Sequence, residues 1–405
     1  MVLTQPDLAR AVVRYAERFH AAVGQAHHVG SPLGAWLVLA LAGPAARGDQ
    51  AMELADVLGV DVAAAAARAD ALLSHPHPLV SAAAAVWYRE EFRTPDVSEW
   101  LGRLPGPVET GPIPDQAALD AWASRHTDGL IDRFPITVSP SVVLLLASAL
   151  ATRVSWEVPF ETVPASELGA TSTWAARLTQ VLRTPADPRH EQFVASTERC
   201  GDVAVHAARA RSGLLVASVI AAPDVPAGHV LTAAHHIAVA LADRQRLGAR
   251  SLFELPLGDG PLWTITERPA PTTAADGRAE RYSTCLPAWS AHSEFDLTDP
   301  TLGFGTAAAA LARLLHLSEY GFEAKQAAMA RYTRVGFEAA AVTGLPVAVA
   351  MHVYKDGVRR DAHIRFDHPY AGVAVATDDH PRGETRSPWH GLPVFSAWIT
   401  EPEDA

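Results

Sequence analysis

Apolar side chains in the first 75 or so residues recur at helical spacing, whereas from about residue 78 onward they gather into runs of strand length, and nowhere do strand and helix alternate at a fixed period. That order, helices first and mixed strands after, argues against a doubly wound parallel sheet and predicts an α+β chain. One helix is expected from about Asp7, behind Pro6, and another from about Ser31, which stands as N-cap ahead of Pro32. Two more are expected over 49–58 and 61–73. Helix returns at 115–133, at 231–246 inside a strand-rich stretch, and at about 305–317. The run SPLGAWLVLALAGPAARG reads as buried helix and SPSVVLLLASALATRVSW as buried strand, both interrupted too early to cross a bilayer. No stretch has the composition of a linker, so residues 1–405 are read as a single domain.

Charge narrows the partners. A net charge of -12 with scattered Lys and Arg argues against nucleic acid and other polyanions, and the richest spots, Lys355 to Arg360 and Arg244 to Arg250, read as solvated faces. No membrane partner is expected either. Among the 18 histidines the pairs His27/His28, His75/His77 and His235/His236 lack the i, i+4 spacing with a Glu that a zinc helix needs, so no metal and no cofactor are expected. There is no Gly-x-Ser-x-Gly elbow, phosphate-binding glycine loop or dinucleotide fingerprint, which speaks against an enzyme. The two cysteines, Cys200 and Cys285, leave a disulfide undecided without a distance between them. The N-terminal amphipathic helix lacks the apolar core and cleavage site of an export signal, which favours the cytoplasm.

Six segments, in order and at compatible spacing over about residues 29 to 402, resemble the serpin family. SPLGAWLVLALAGPAARGDQAMELADVLGV (31–60) is similar to its helix pair beginning Ser-Pro, and LDAWASRHTDGLI (119–131) keeps Trp122, Thr127, Gly129 and Ile131 of its Trp-Thr-Gly-Ile pattern. WEVPF (156–160), LPAWSAHSEFDL (286–297), FDHPYAGVAVA (366–376) and PVFSAWITEP (393–402) resemble further family stretches. The resemblance implies one domain with a large central β-sheet, two smaller sheets, eight or nine helices and an exposed reactive-centre loop at about 336–362. Where the family acts outside the cell, it also implies an extracellular alternative for the compartment.

GFEAAAVTG (336–344) is similar to the family's hinge, made here of Gly336, Phe337, Glu338, Ala339, Ala340, Ala341 and Thr343. A strand that enters between two packed neighbours needs small side chains at alternate positions, and Phe337, Ala339, Ala341 and Thr343 are those positions, three of them small. By the family's count from Gly336 the scissile bond is Ala350–Met351, about fifteen residues on, which at 3.3–3.6 Å each is roughly 50 Å of chain. Val349 and Ala350 before the bond imply a serine protease with a small apolar pocket, elastase- or subtilisin-like, met by a monomer. The implied mechanism is suicide inhibition, in which the loop is cleaved to an acyl-enzyme and then inserts into the central sheet. Trp156, Ser31, Ser148 and Gln326 are implied as the region where that sheet opens.

The pattern departs from the family where insertion begins. Phe337 stands in place of a small or β-branched residue, and Pro346 has no N–H for a central strand. Arg334 replaces a Glu, Gln326 a His, Ser148 an Asn and Gly34 a Ser. A non-inhibitory role, as protease substrate, carrier or chaperone-like binding protein, therefore stands as the alternative.

Overall fold

Helix α1 (Gln5–Val23) forms because Leu8, Val12, Tyr15 and Phe19 fall on one face, and all four are buried. The computed structural model describes residues 5–152, 154–170, 172–336, 355–378 and 386–405. Helix α2 (Pro32–Ala42) starts where the Ser31 hydroxyl accepts the Gly34 N–H, with Pro32 at a position whose N–H would have no partner. Every residue of α2 but Val38 is buried, so it is enclosed on all sides. Helix α3 (Asp49–Leu58) ends at Gly59, whose φ of +72° and approach to the Ala11 backbone suit a residue without a side chain. Helices α4 (Val62–Ser74), α5 (Pro95–Leu101) and α6 (Gln116–His126) begin at side-chain caps from Asp61, Thr94 and Asp115. With α7 (Ala227–Ala242) and α8 (Phe304–Leu314) the described residues hold eight α-helices.

Three helices end or start away from where they were expected. The one expected over 115–133 stops at His126, because the Thr127 hydroxyl bonds the Ala123 carbonyl and Gly129, at φ +75°, turns the chain away. The one expected over 231–246 starts earlier, behind Pro226, and stops before Arg244, which takes φ +59°. The one expected over 305–317 ends at Leu314, ahead of His316 at φ +59°. Cys200 and Cys285 are buried free thiols. No helix among the described residues is long and apolar enough to cross a membrane.

A seven-stranded antiparallel sheet runs β1 (His28–Gly30), β18 (Pro393–Ile399), β17 (Tyr370–Ala376), β9 (Leu214–Ile220), β8 (Gly201–Ala210), β7 (His190–Thr197) and β10 (Ala249–Arg250). A six-stranded sheet runs β11 (Gly258–Asp259), β12 (Trp263–Pro269), β16 (Val358–Arg365), β13 (Arg278–Leu286), β6 (Gln180–Arg183) and β5 (Glu161–Pro164), with β13 and β16 parallel. The other five strands form the central sheet in two pieces. One piece is β3 (Glu109–Pro112), β2 (Val80–Tyr88) and β4 (Leu144–Thr152); the other is β14 (Trp289–Asp296) with β15 (Lys325–Tyr332). In strand number the companion sheets exceed this one, seven and six against five, although several of their strands are very short.

Strand β4 alternates half-buried and buried along its length. Its buried set, Leu145, Ala147, Ala149 and Ala151, lies on one face, and the first three pack with Leu119 and Trp122 of α6. Ala327 and Met329 of β15 join the same cluster, so the two pieces share one layer. The other face of β4 turns toward α2.

Candidate functional site

The site is the seam between β4 and β15. Among the described residues β4 is paired only with β2, and β15 only with β14, so each presents a free edge to the other. Beyond their last residues the two strands come together at one pole. There the Trp156 N–H donates to the Val335 carbonyl at 3.3 Å, the Phe160 N–H donates to the Arg334 carbonyl at 2.9 Å, and Ser155 bridges Gly336. Because both strands end at this pole, they run in the same direction. A cavity of about 640 Å³ lies along the seam, walled by Leu146, Ser148 and Leu150 on one side and Ala324 and Gln326 on the other, with Gly34 of α2 beneath. A smaller one of about 60 Å³ continues it to Trp156.

The first turn of α2 holds both walls. The Ser31 N–H donates to Gln326 Oε1 at 2.8 Å while Gln326 Nε2 donates to the Ser31 carbonyl at 2.9 Å, a two-point bond that fixes β15. The Ser148 hydroxyl donates to the Gly34 carbonyl at 2.8 Å, which fixes β4. Ser31 Oγ, besides capping α2, donates to the Val394 carbonyl of β18. Three of the four residues expected at a sheet-opening region, Ser31, Ser148 and Gln326, are thus brought together. The fourth, Trp156, sits at the other end of the seam. Its indole N–H donates to the Thr333 carbonyl at 2.9 Å and its ring packs on Tyr332 and Phe160, with centroids 4.9 and 5.9 Å away. Trp122, kept from the family pattern, projects from α6 and packs edge-on against Trp87.

Sequence reasoning missed a histidine pair behind this aromatic cluster. His190 Nε2 lies 2.8 Å from the Val158 carbonyl; a carbonyl only accepts, so this nitrogen carries the proton and Nδ1 accepts from His206 Nε2 at 3.1 Å. Both rings pack on Phe160. Burial lowers the pKa of His190, and burial followed by the neighbouring imidazole lowers that of His206 further, so the pair is held neutral. His206 lies on β8 within the strand-rich stretch, and no local pattern in the sequence indicates His190 as its partner.

Gly336 is the last described residue before 337–354. Its φ of +87° and the 2.1 Å that a Cβ would leave to the Val154 carbonyl admit only glycine. Its N–H donates to the Thr333 carbonyl at 3.3 Å, closing a turn at the end of β15. Phe337, Glu338, Ala339, Ala340, Ala341 and Thr343 of the hinge, Pro346, and the Ala350–Met351 bond lie outside the described residues. The described chain resumes at Lys355, which pairs with Thr272 just before β16.

No protein-family model and no curated protein matches the chain. Solved structures do match along nearly its full length. Tengpin, a thermophilic serpin in its latent state, is similar with a TM-score of 0.64 and 12% identity, covering 100% of this chain and 99% of that one. Human thyroxine-binding globulin complexed with its hormone gives 0.62 at 13% identity over 99% and 100% of the two chains. Serpin48 of the insect Tenebrio molitor, described as a highly specific serpin, gives 0.59 at 15% identity over 98% and 99%.

Proposed function

Because the chain has the serpin fold, we propose that it is a suicide-substrate inhibitor of serine proteases, cleaved at Ala350–Met351 and completed by insertion of residues 337–350 into the seam. The observation that carries this reading is the pair of free edges on β4 and β15, parallel in direction and meeting beside Gly336. A chain that leaves Gly336 and turns back along the seam runs antiparallel to both edges and offers each the main-chain partners it lacks, at about 1 kcal/mol net per hydrogen bond. The uncleaved protein then persists because insertion is slow, not because that state is the most stable one. Val349 and Ala350 suit an elastase- or subtilisin-like protease, and the chain acts as a monomer.

Phe337 and Pro346 oppose insertion, the first by bulk at the leading inward position and the second by leaving a ladder acceptor unpaired. Each ~1.4 kcal/mol they add at the first step slows insertion about tenfold relative to hydrolysis of the acyl-enzyme. The test is incubation with elastase and subtilisin. The expected result is an SDS-resistant covalent adduct, a larger adduct fraction with Phe337→Thr and Pro346→Ser, and an N-terminal sequence beginning at Met351 on the released C-terminal fragment. Cleavage there with neither adduct nor a rise in melting temperature defeats the reading.

A second reading has its own support. A cavity of about 640 Å³ is within the range of small-molecule pockets, and its lining is largely aliphatic, so a carrier role for an apolar ligand competes for the same seam. A ligand whose binding survives loop cleavage and insertion would exclude the seam as its site.

A further inference from the structure

Three donors of unlike kind converge on the six-stranded sheet, away from the seam. The Cys285 sulfur, a ring nitrogen of His363 and a carboxylate oxygen of Glu167 lie within 4.8 Å of one another. They come from separate elements: Cys285 from the end of β13, His363 from β16 beside it, and Glu167 from the short helical turn Ala165–Leu168 that follows β5. In the parallel β13–β16 register Ser283 stands opposite His363, so His363 shares a face with Cys285, two residues further along. His363 Nε2 is 2.9 Å from the Glu167 carbonyl oxygen; that oxygen only accepts, so Nε2 carries the proton and Nδ1 keeps a lone pair. A metal-bound imidazole usually donates its second ring N–H to a carbonyl in this way. Of the two strand neighbours of Cys285, Arg365 bonds Thr264 and Gly260, while Arg183 bonds Glu161 and stays close enough to Cys285 to act on it electrostatically, so the guanidinium shares the neighbourhood of the three donors.

We propose that Cys285, His363 and Glu167 form a binding site for a thiophilic divalent cation of the zinc class, with water as the fourth donor on the exposed Glu167 side. One thiolate, one imidazole and one carboxylate suit zinc, and do not suit magnesium or calcium, which take oxygen donors. Metal–donor bonds of about 2.0–2.3 Å set tetrahedral donors roughly 3.5 Å apart, so the three draw in by roughly 1 Å on binding. The exposed Glu167 side chain can supply most of that movement. The cation ties the turn after β5 to β13 and to β16, the strand that follows residues 337–354. The site stands whether or not the chain inhibits a protease.

The test uses the full chain, freed of metal with a chelator and titrated with cobalt(II) and with zinc. One equivalent of cobalt should bind with a sulfur-to-cobalt charge-transfer absorption, and zinc should raise the unfolding temperature. Cys285→Ser should abolish the sulfur band while Cys200→Ser keeps it, and His363→Ala and Glu167→Gln should each weaken binding about tenfold or more. If Cys285→Ser does not fold, the His363 and Glu167 variants, at half-buried and exposed positions, carry the same comparison. Cobalt bound without the sulfur band, or zinc affinity indifferent to the variants, overturns the site.

Discussion

Gln326 shows how much one side chain can hold. Its amide satisfies both the N–H and the carbonyl of Ser31, and the two residues lie 295 positions apart in the chain. Gln326→Ala leaves both backbone groups without that partner, a loss of about 1–3 kcal/mol. The expected outcome is a lower urea midpoint, with a faster reaction of the seam toward any inserting strand, since β15 is freed from α2. Gly336→Ala should also destabilise, because a methyl group would meet the Val154 carbonyl at 2.1 Å in a backbone conformation that L-residues rarely adopt. A cost of about 1–3 kcal/mol is expected, read as a drop in unfolding temperature, and an unchanged temperature would mean the turn at Gly336 is not held as described. At this scale the Ser31 cap was legible, since Ser-Pro at a helix start has a local cause. The Gln326–Ser31 bond has no local signal, and only the family resemblance pointed to those residues together. The Glu167–Cys285–His363 cluster was illegible for the same reason: its three residues sit on strands and a turn whose register the sequence does not disclose.

Among the elements, the strands flanking the seam carry the sharpest expectation. A strand edge without a partner is a template for any extended chain of suitable side chains. A synthetic peptide with the sequence of residues 337–350 should therefore bind the uncleaved protein, raise its unfolding temperature and suppress adduct formation with elastase. A Phe337→Thr version of the peptide should act faster than the native one, because the bulky ring enters an inward position. Equal rates would remove Phe337 from the list of obstacles. The helices with long apolar periodicity, α1 to α4, were legible, and so was the strand character of β4. Helix α5 was not. Seven residues are too few to display a period, although Thr94 before Pro95 is a sound start signal and the Thr94 hydroxyl does accept the Val97 N–H. The division of the central sheet into three and two strands was also beyond sequence, because pairing of β4 with β15 depends on neither strand's own pattern.

For the whole molecule, the buried histidines make stability depend on pH. The His28 Nδ1–H donates to the Ala26 carbonyl, so His28 Nε2 accepts from His20 Nδ1, and His20 Nε2 in turn accepts from the Ser396 hydroxyl. That chain of bonds joins α1 to β1 and β18, and it requires both rings neutral. His235 of α7 packs against His20, and its Nε2 has no hydrogen-bond partner among the described residues. Burial, outweighing the bond to the Leu231 carbonyl, brings its pKa from 6.5 down to about 4. Burial is also the first cause of the lowered values at His20, His28, His190 and His206. For each of these groups protonation is easier in the unfolded chain than in the folded one. Stability is therefore fully present above the ordinary value of about 6.5 and is lost as pH falls below it, at up to about 1.4 kcal/mol per pH unit for each group that stays neutral when folded. Replacing His235 with Leu removes one such group along with only one bond, to a helix carbonyl. Urea unfolding followed from pH 7.5 to pH 4.5 should show the wild type losing stability below 6.5, and His235→Leu losing it less steeply by up to about 1.4 kcal/mol per unit. The two curves should converge in slope toward pH 7.5, where only about a tenth of the unfolded imidazoles hold the proton and the folded one holds none. If they stay parallel below 6.5 as well, His235 is protonated alike in both states, and the enclosure between α1 and α7 is not as dry as its burial requires.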